Sequence, residues 1–338
     1  MEYDGNGGAD HGVVIFALDA GRSFGEQVAR LLHAELSPHE EREFEDGEHK
    51  ARPLVNVRDR DVYVICSLHG EDGRTGADKL CRLLFFIGTL RDAGAARVTA
   101  VVPYLCYARK DRQTKPRDPV TTRYVAQLFE AVGTNRIIVI DVHNIAAFQN
   151  AFRCNAIPLD AQAVFARHIA AEIGDAPVAV VSPDLGGEKR AELFRQRMEK
   201  LLERSVAKGF MDKHRSMGKV TGEIFAGDVD GRTVIVLDDL ISTGGTMART
   251  AAACREHGAA KIWLVATHGV FSSGAGAILR DAPIDHILVT DTVPLPPSLN
   301  TTELKGRLAI VSVAALVAEA IRRLHTGGSI VELLDEGP

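Results

Sequence analysis

Short apolar runs rich in Val and Ile recur along the chain and alternate with longer segments whose apolar positions repeat at helical spacing. The runs cover Val13–Ala17, Asp61–Cys66, Arg97–Tyr104, Arg136–Ile140, Val178–Ser182, Val234–Leu237, Lys261–Ala266, His286–Thr290 and Leu308–Val311. Between them the spacing predicts helices over Ser23–Leu36, Thr75–Ala93, Thr122–Val132, Ala161–Ile173, Glu188–Arg204, Met247–His257 and Val313–His325, with Gly258 as a stop. A further strand begins at Lys208–Phe210 and leads into a polar, Gly-containing segment that ends near Glu223. Alternating strand and helix predicts α/β architecture with parallel sheets and right-handed crossovers.

The pattern also repeats. Leu90–Tyr104 and Cys254–His268 share a helix end, a Gly-Ala-Ala-basic turn and an apolar strand. Two related doubly wound α/β domains facing each other across a cleft are therefore expected, with Ile157-Pro158-Leu159 as the crossover between them. We place the first domain at 1–159 and 308–338, and the second at 160–307.

Composition narrows the function classes. The 338 residues suffice for two domains, and a formal charge of −5 provides no general attraction to nucleic acid or membrane. No apolar run is long enough to span a bilayer. The acidic, Gly-rich start Met1–Gly12 is unlike a signal peptide and is expected to fray. Cys66, Cys81, Cys106, Cys154 and Cys254 lack C-x-x-C spacing and read as reduced residues of a cytoplasmic protein.

The most informative stretch is Thr233–Met247, T-V-I-V-L-D-D-L-I-S-T-G-G-T-M. A buried strand ends in Asp238 and Asp239, and a small-residue loop, Ser242-Thr243-Gly244-Gly245-Thr246, leads into a helix. Ligands of open α/β sheets bind beyond the carboxyl ends of strands. Glycines allow the backbone close to an anion, and the first N–H groups of a helix lack internal partners. The stretch reads as a sugar-phosphate site: phosphate in the loop, sugar hydroxyls on the acids. A Gly-Gly turn alone would read equally well as a tight strand–helix connection; the adjacent acid pair makes it specific. Neither G-x-x-x-x-G-K-[ST] nor a G-x-G-x-x-G after a strand is present.

Other strand ends carry chemistry. Tyr107–Thr122 holds five basic residues and two prolines, too polar to be buried, and follows a buried strand where ligand loops sit. Arg136–Ile140 leads into Asp141-Val142-His143. A histidine there is most often a packed residue, but Asp141 two positions earlier would share its face and makes a metal or phosphate role reasonable. Lys213 and Arg215 are also two apart, so on extended backbone they point the same way. Taken alone they would be solvated basic residues.

In this order the segments F-E-D-G-E, Y-A-R-K-D-R, K-P-R-D-P-V-T, I-D-V-H, V-S-P-D-L-G-G, D-K-H-R and V-L-D-D-L-I-S-T-G-G-T resemble ribose-phosphate pyrophosphokinases. So does the final L-A-I-V-S-V-A-A-L-V-A-E-A-I-R-R-L-H, and the resemblance spans about residues 13 to 334. It implies phosphoribosyltransferase-like domains and transfer of the terminal diphosphoryl group of ATP, with Mg²⁺, to ribose 5-phosphate. It also implies roles. Asp238, Asp239 and Ser242–Thr246, with Thr243, Gly244 and Gly245, hold ribose 5-phosphate. Phe44, Asp46 and Glu48 meet adenine from a neighbouring subunit of a homo-oligomer. Arg109, Lys110 and Arg112 contact ATP. His143 and Asp184 lie at the Mg²⁺–triphosphate site, and Lys213 and Arg215 are catalytic. His214, Lys110, Ser242 and Gly244 depart from commoner relatives and point to a less common subtype. A non-catalytic synthetase-like subunit and a phosphoribosyltransferase are the alternatives.

Overall fold

The computed structural model describes residues 13–337 apart from 72, 217–218, 300–303 and 305, together with side chains other than those of 213–223, 298 and 335–336. The acidic N-terminal stretch therefore lies outside the described residues. In chain order the first half comprises β1 (Val14–Ala17), α1 (Arg22–Leu31), β2 (His39–Glu43), β3 (His49–Pro53), β4 (Asp61–Ile65), α2 (Gly76–Asp92), β5 (Arg97–Val102), α3 (Thr121–Ala131), β6 (Arg136–Ile140), α4 (Ile145–Ala151) and β7 (Asn155–Leu159). The second half continues with α5 (Gln162–Ile173), β8 (Val178–Ser182), α6 (Glu188–Leu202), β9 (Ala207–Ser216), β10 (Lys219–Gly227), β11 (Thr233–Ile241) and α7 (Gly245–Glu256). It closes with β12 (Lys261–Gly269), α8 (Ala275–Asp281), β13 (His286–Thr290), β14 (Leu308–Val311), α9 (Ala314–Thr326) and α10 (Ile330–Glu336).

Among the described residues, the first sheet is parallel, in the order β1-β4-β5-β6-β7. The second has the order β10-β9-β8-β11-β12-β13-β14, parallel except for β10. Strand alternation divides the core accordingly. Ile15, Tyr63, Val101 and Ile138 of the first sheet share one buried cluster with Val180, Ile235, Trp263 and Val265 of the second, joined by α1, α5, α6 and α9. Val14, Phe16, Val62 and Val98 point to the opposite face, under α2 and α3, while Val181, Val234 and Val236 face α7. Both sheets thus carry helices on both faces, and the halves share an apolar layer. No described helix is long and apolar enough to cross a membrane.

Several sequence expectations need correction. The first helix stops at Leu31, five residues early, and His33 turns the chain with φ 53°. The missed β2–β3 hairpin has no apolar alternation; its register aligns charges, and Glu40 pairs with Lys50 at 3.2 Å and Arg52 at 2.7 Å. Ile157–Leu159 is part of strand β7, at the sheet edge, where Pro158 costs no central ladder bond. The segment ending near Glu223 is largely β10, antiparallel to β9. Leu308–Val311 pairs in parallel with β13 and so belongs to the second sheet, not the first half. Its backbone N–H and C=O groups are paired nearest in sequence, beside β13. Only then does the chain cross back, as α9, to pack on α1.

Candidate active site

The second sheet changes its direction of growth between β8 and β11, the place where an open α/β sheet forms a ligand crevice. The pairing of β8 with β11 ends at Val181↔Val236, while β11 continues alongside β12 as far as Ile241↔Gly269. Asp238 and Asp239 therefore stand on a stretch of β11 that has lost its neighbour on one side. Adjacent strand residues project to opposite faces, so Asp239 continues the face of Ile235 and Leu237 toward the first half, and is buried.

The following loop is built around Gly244, which has φ 78° and caps α7. A Cβ there would lie 3.0 Å from Leu279 Cγ, so both backbone and packing demand glycine. The loop is anchored where Phe271 N donates to Ile241 O at 3.0 Å and Ser272 N to Ser242 O at 3.1 Å. Its backbone then opens toward the first turn of α7.

Asp239 meets the other half of the molecule directly. His143 Nδ1 lies 3.0 Å from its Oδ2. Arg190, from α6, places Nη1 3.2 Å from Asp239 Oδ1 and 3.2 Å from Asp238 Oδ1, and donates through Nη2 to His143 O at 3.3 Å. Burial opposes ionisation of Asp239, but the bonds from His143 and Arg190 outweigh it and hold its carboxyl below the usual range. Asp238 is pushed up to about 8 by burial and by the Asp239 charge. The hydrogen bond to Asp239 raises the His143 imidazole above its ordinary value. The cluster thus sets the Arg190 guanidinium and an imidazole biased toward protonation against the acid pair, of which Asp239 is the more readily ionised.

Asp141 behaves differently from the expectation that it shares a face with His143. The strand ends at Ile140, and Asp141 takes φ 43°, so its side chain turns away. Its Oδ2 accepts from Thr267 Oγ1 at 2.5 Å and from Ala161 N at 3.1 Å. Burial raises its pKa, and the half-buried Asp160, which feels the Asp141 charge, is raised to about 6 by desolvation and that charge.

A cleft of about 1130 Å³ runs between the halves. Asp238, Asp239, Ser242, Thr243, Gly244, Thr246, His143, Asp184, Arg109 and Arg112 all line it, and Gly245 opens the adjoining helix. Asp184 projects from the turn after β8, its Oδ1 accepting from Gly187 N at 3.0 Å. Lys110 does not line the cleft; it pairs with Asp118 at 3.7 Å. Phe44, Asp46 and Glu48 also lie outside it, in the turn between β2 and β3, where Asp46 Oδ1 accepts from Glu48 N at 3.0 Å. Lys213 and Arg215 fall on the β9 backbone, but their side chains lie outside the described residues.

Sequence reasoning missed Arg190, which joins both acids, and the tie from Asn144 Nδ2 to Asp111 Oδ2 at 2.7 Å that fastens the basic loop beside His143. The one available signal for Arg190 was a basic residue in the first turn of the helix after V-S-P-D-L-G-G. Among the described residues no three His, Cys, Asp or Glu side chains converge as a ready metal cage. One carboxylate such as Asp184 suits a hard cation that takes most of its oxygens from phosphate and water.

Comparison with known proteins agrees with this arrangement. Residues 13–133 match the family model of the N-terminal domain of ribose phosphate pyrophosphokinase, and 187–335 match the phosphoribosyl synthetase-associated domain. The ribose-phosphate pyrophosphokinase of Caldanaerobacter subterraneus is 36% identical, over 94% of this chain and 96% of its own. That of Shewanella oneidensis is 36% identical over 94% and 97%. The crystal structure of phosphoribosylpyrophosphate synthetase from Mycobacterium smegmatis superposes with a TM-score of 0.83 at 32% identity, covering 94% of this chain and 99% of that one. Two matched domains in order, near-complete coverage of full-length relatives and a shared two-sheet fold place this chain in the ribose-phosphate pyrophosphokinase family.

Proposed function

We propose that the cleft between the two sheets is where this chain carries out its family's reaction, transfer of the β,γ-diphosphoryl group of ATP to the C1 hydroxyl of ribose 5-phosphate. The products are phosphoribosyl diphosphate and AMP. The observation that carries this reading is the meeting of two unlike half-sites. An anion loop with two acids comes from the second sheet, and His143 with Arg109 and Arg112 comes from the first.

In this reading the 5-phosphate lies against Ser242–Thr246, where the N–H groups at the start of α7 and the loop hydroxyls donate to it. Asp238 and Asp239 accept from the ribose hydroxyls and set the C1 oxygen toward the cleft. Arg109 and Arg112 hold the triphosphate, with Lys110 able to join them if it leaves Asp118. The C1 oxygen attacks the β-phosphorus in line; the bond to the α–β bridging oxygen breaks, AMP carries that oxygen away, and the hydroxyl proton is released. Catalysis of this kind is positioning and charge stabilisation. Lys213 and Arg215 are assigned to the charge that builds on the transferred group.

Mg²⁺ fits the residues present: Asp184 would hold it beside the phosphates, and when bound it neutralises phosphate charge. His143 is the weaker ligand. Its Nδ1 is taken by Asp239, a bond that favours the protonated ring, and in that form its Nε2–H suits a phosphate oxygen. The hairpin turn bearing Phe44, Asp46 and Glu48 stands outside the cleft of its own chain, which favours completion of the adenine site by a second copy in a cytoplasmic homo-oligomer.

Purified protein given ATP, Mg²⁺ and ribose 5-phosphate is expected to release AMP. No release would favour a non-catalytic synthetase-like subunit. A requirement for a nucleobase without consumption of ATP would identify a phosphoribosyltransferase.

A further inference from the structure

His268 and Thr267, at the end of β12, touch neither the anion loop nor the main cleft, yet both grip the strand end that carries His143. We propose that His268, with Thr267, is the positioning element that fixes His143 against Asp239 and so joins the two half-sites before substrate binds. The proposal rests on the reading above insofar as it concerns catalysis.

Asp141 holds a left-handed backbone, with φ 43°. A left-handed, non-glycine residue costs about 1–3 kcal/mol and persists only where its surroundings impose it. Here the imposition is complete. His268 Nε2 lies 3.0 Å from Ile140 O and 3.3 Å from Asp141 O. Thr267 Oγ1 donates to Asp141 Oδ2 at 2.5 Å. Two carbonyls of the first sheet's strand end and the carboxyl between them are therefore held by consecutive residues of a strand in the second sheet.

The ring can act this way only with a proton on Nε2. Nε2 faces carbonyl oxygens and must carry a proton, so Nδ1 serves as acceptor for the Thr292 hydroxyl at 2.9 Å. Burial supports the neutral ring, pushing its pKa down to about 4. Tyr104 packs edge-on against it with centroids 5.0 Å apart, which fixes the ring plane. His268 is also the register partner of Leu240 on β11, one residue after Asp239. The strand end bearing His143 is thus docked on the immediate neighbour of the strand bearing Asp239. The His143–Asp239 distance follows from the sheet register rather than from the flexible side chains alone.

The test is a double-mutant cycle in the full-length protein, with kcat and both KM values measured. His268→Leu is expected to lower kcat at least tenfold with KM for ATP within about twofold, since a misplacement of about 1 Å can cost about 10² in rate. His268→Gln, whose amide can still donate to Ile140 O, is expected to recover most of that loss. In a His143→Ala background, His268→Leu is expected to cost less than twofold further, because its effect is exerted through His143. Equal losses in both backgrounds, or Gln no better than Leu, would overturn the proposal. If His268→Leu does not fold, Thr267→Val and Thr267→Ser enter the same cycle with the same expectations. If the wild-type protein releases no AMP, the functional reading fails by itself. The cycle is then read from urea midpoints, where coupling between positions 268 and 143 supports the clamp and additivity refutes it.

Discussion

Arg190→Met isolates the cation that holds the acid pair. The substitution keeps an unbranched side chain and removes the guanidinium, which reaches Asp238 and Asp239 at 3.2 Å each. Removing one partner of a buried ion pair costs about 3–5 kcal/mol, because a charge is left without compensation. Two features lower the figure here. Asp238, raised to about 8, holds a proton near neutrality, so the guanidinium compensates one carboxylate rather than two. Asp239 also keeps its bond from His143 at 3.0 Å. Hydrogen bonds to charged groups contribute about 1.5–3 kcal/mol, so we expect a loss of about 2–3 kcal/mol. Urea unfolding near neutral pH should show a lower midpoint with an unchanged slope. In parallel, KM for ribose 5-phosphate should rise more than KM for ATP, since the acids lose the group that sets their spacing. Arg190→Lys should recover part of both effects, supplying charge but no planar fork. A stability change below about 0.5 kcal/mol, the size of an ordinary surface substitution, together with an unaltered KM would refute the reasoning.

Gly244→Ala should destabilise by about 1–3 kcal/mol and raise KM for ribose 5-phosphate, because φ 78° strains alanine and its Cβ meets Leu279 at 3.0 Å; urea titration and steady-state kinetics check both. Asp61 supplies a pH dependence. Burial opposes its ionisation, but bonds from Arg97 at 2.8 and 2.6 Å and from His325 at 3.0 Å outweigh that and depress its folded pKa. A depressed carboxyl stabilises above its unfolded pKa, about 3.9, and the gain is lost as pH falls through the folded value. The stability gap between wild type and Asp61→Asn should therefore be widest above about pH 5 and close in stronger acid. Lys213→Ala should lower kcat by a factor of about 10³ or more while the thermal transition stays in place, on the analogy of cations in other phosphoryl transfers. A loss confined to KM would remove Lys213 from catalysis. Chelation of divalent metal should abolish AMP release and leave the unfolding midpoint unchanged, as expected without a ready cage among the described residues.

What could be read from the sequence followed from local physics. Val- and Ile-rich runs mark strands buried on both faces, and nearly all of them fall where the apolar pattern put them. The helix expected over Thr75–Ala93 is α2, and in the structure Thr75 forms a capping box with Asp78. Elements that draw on non-local partners were hidden. The β2–β3 ladder is held by charges that look like solvated surface. Helices α4, α8 and α10 have 7 residues each, too few to establish a period. The site divides in the same way. The proposed anion loop is contiguous in sequence, whereas the His143–Asp239 bond joins positions 96 apart and the Arg190 bonds span 48 and 49. The turn at Asp141 was unreadable because nothing in an Ile-Asp-Val sequence signals a left-handed residue.

The two sheets also differ in a way that explains why one half would not suffice. The second sheet reverses its growth between β8 and β11 and so opens a crevice, with the acids on the unpaired end of β11 and a helix N-terminus beyond. Among the described residues the first sheet runs β1-β4-β5-β6-β7 without such a reversal. It contributes what the crevice lacks: an imidazole for Asp239, and a basic loop fastened at Asp111 to Asn144. A binding loop for a sugar phosphate can be built from one wound sheet. Bringing a second, highly charged phosphate chain to the same sugar requires cations on the opposite wall and a fixed distance between walls. On the proposed assignment, the bonds of Thr267 and His268 to the end of β6 set that distance, so that a nucleotide on the first half would come within reach of an acceptor on the second.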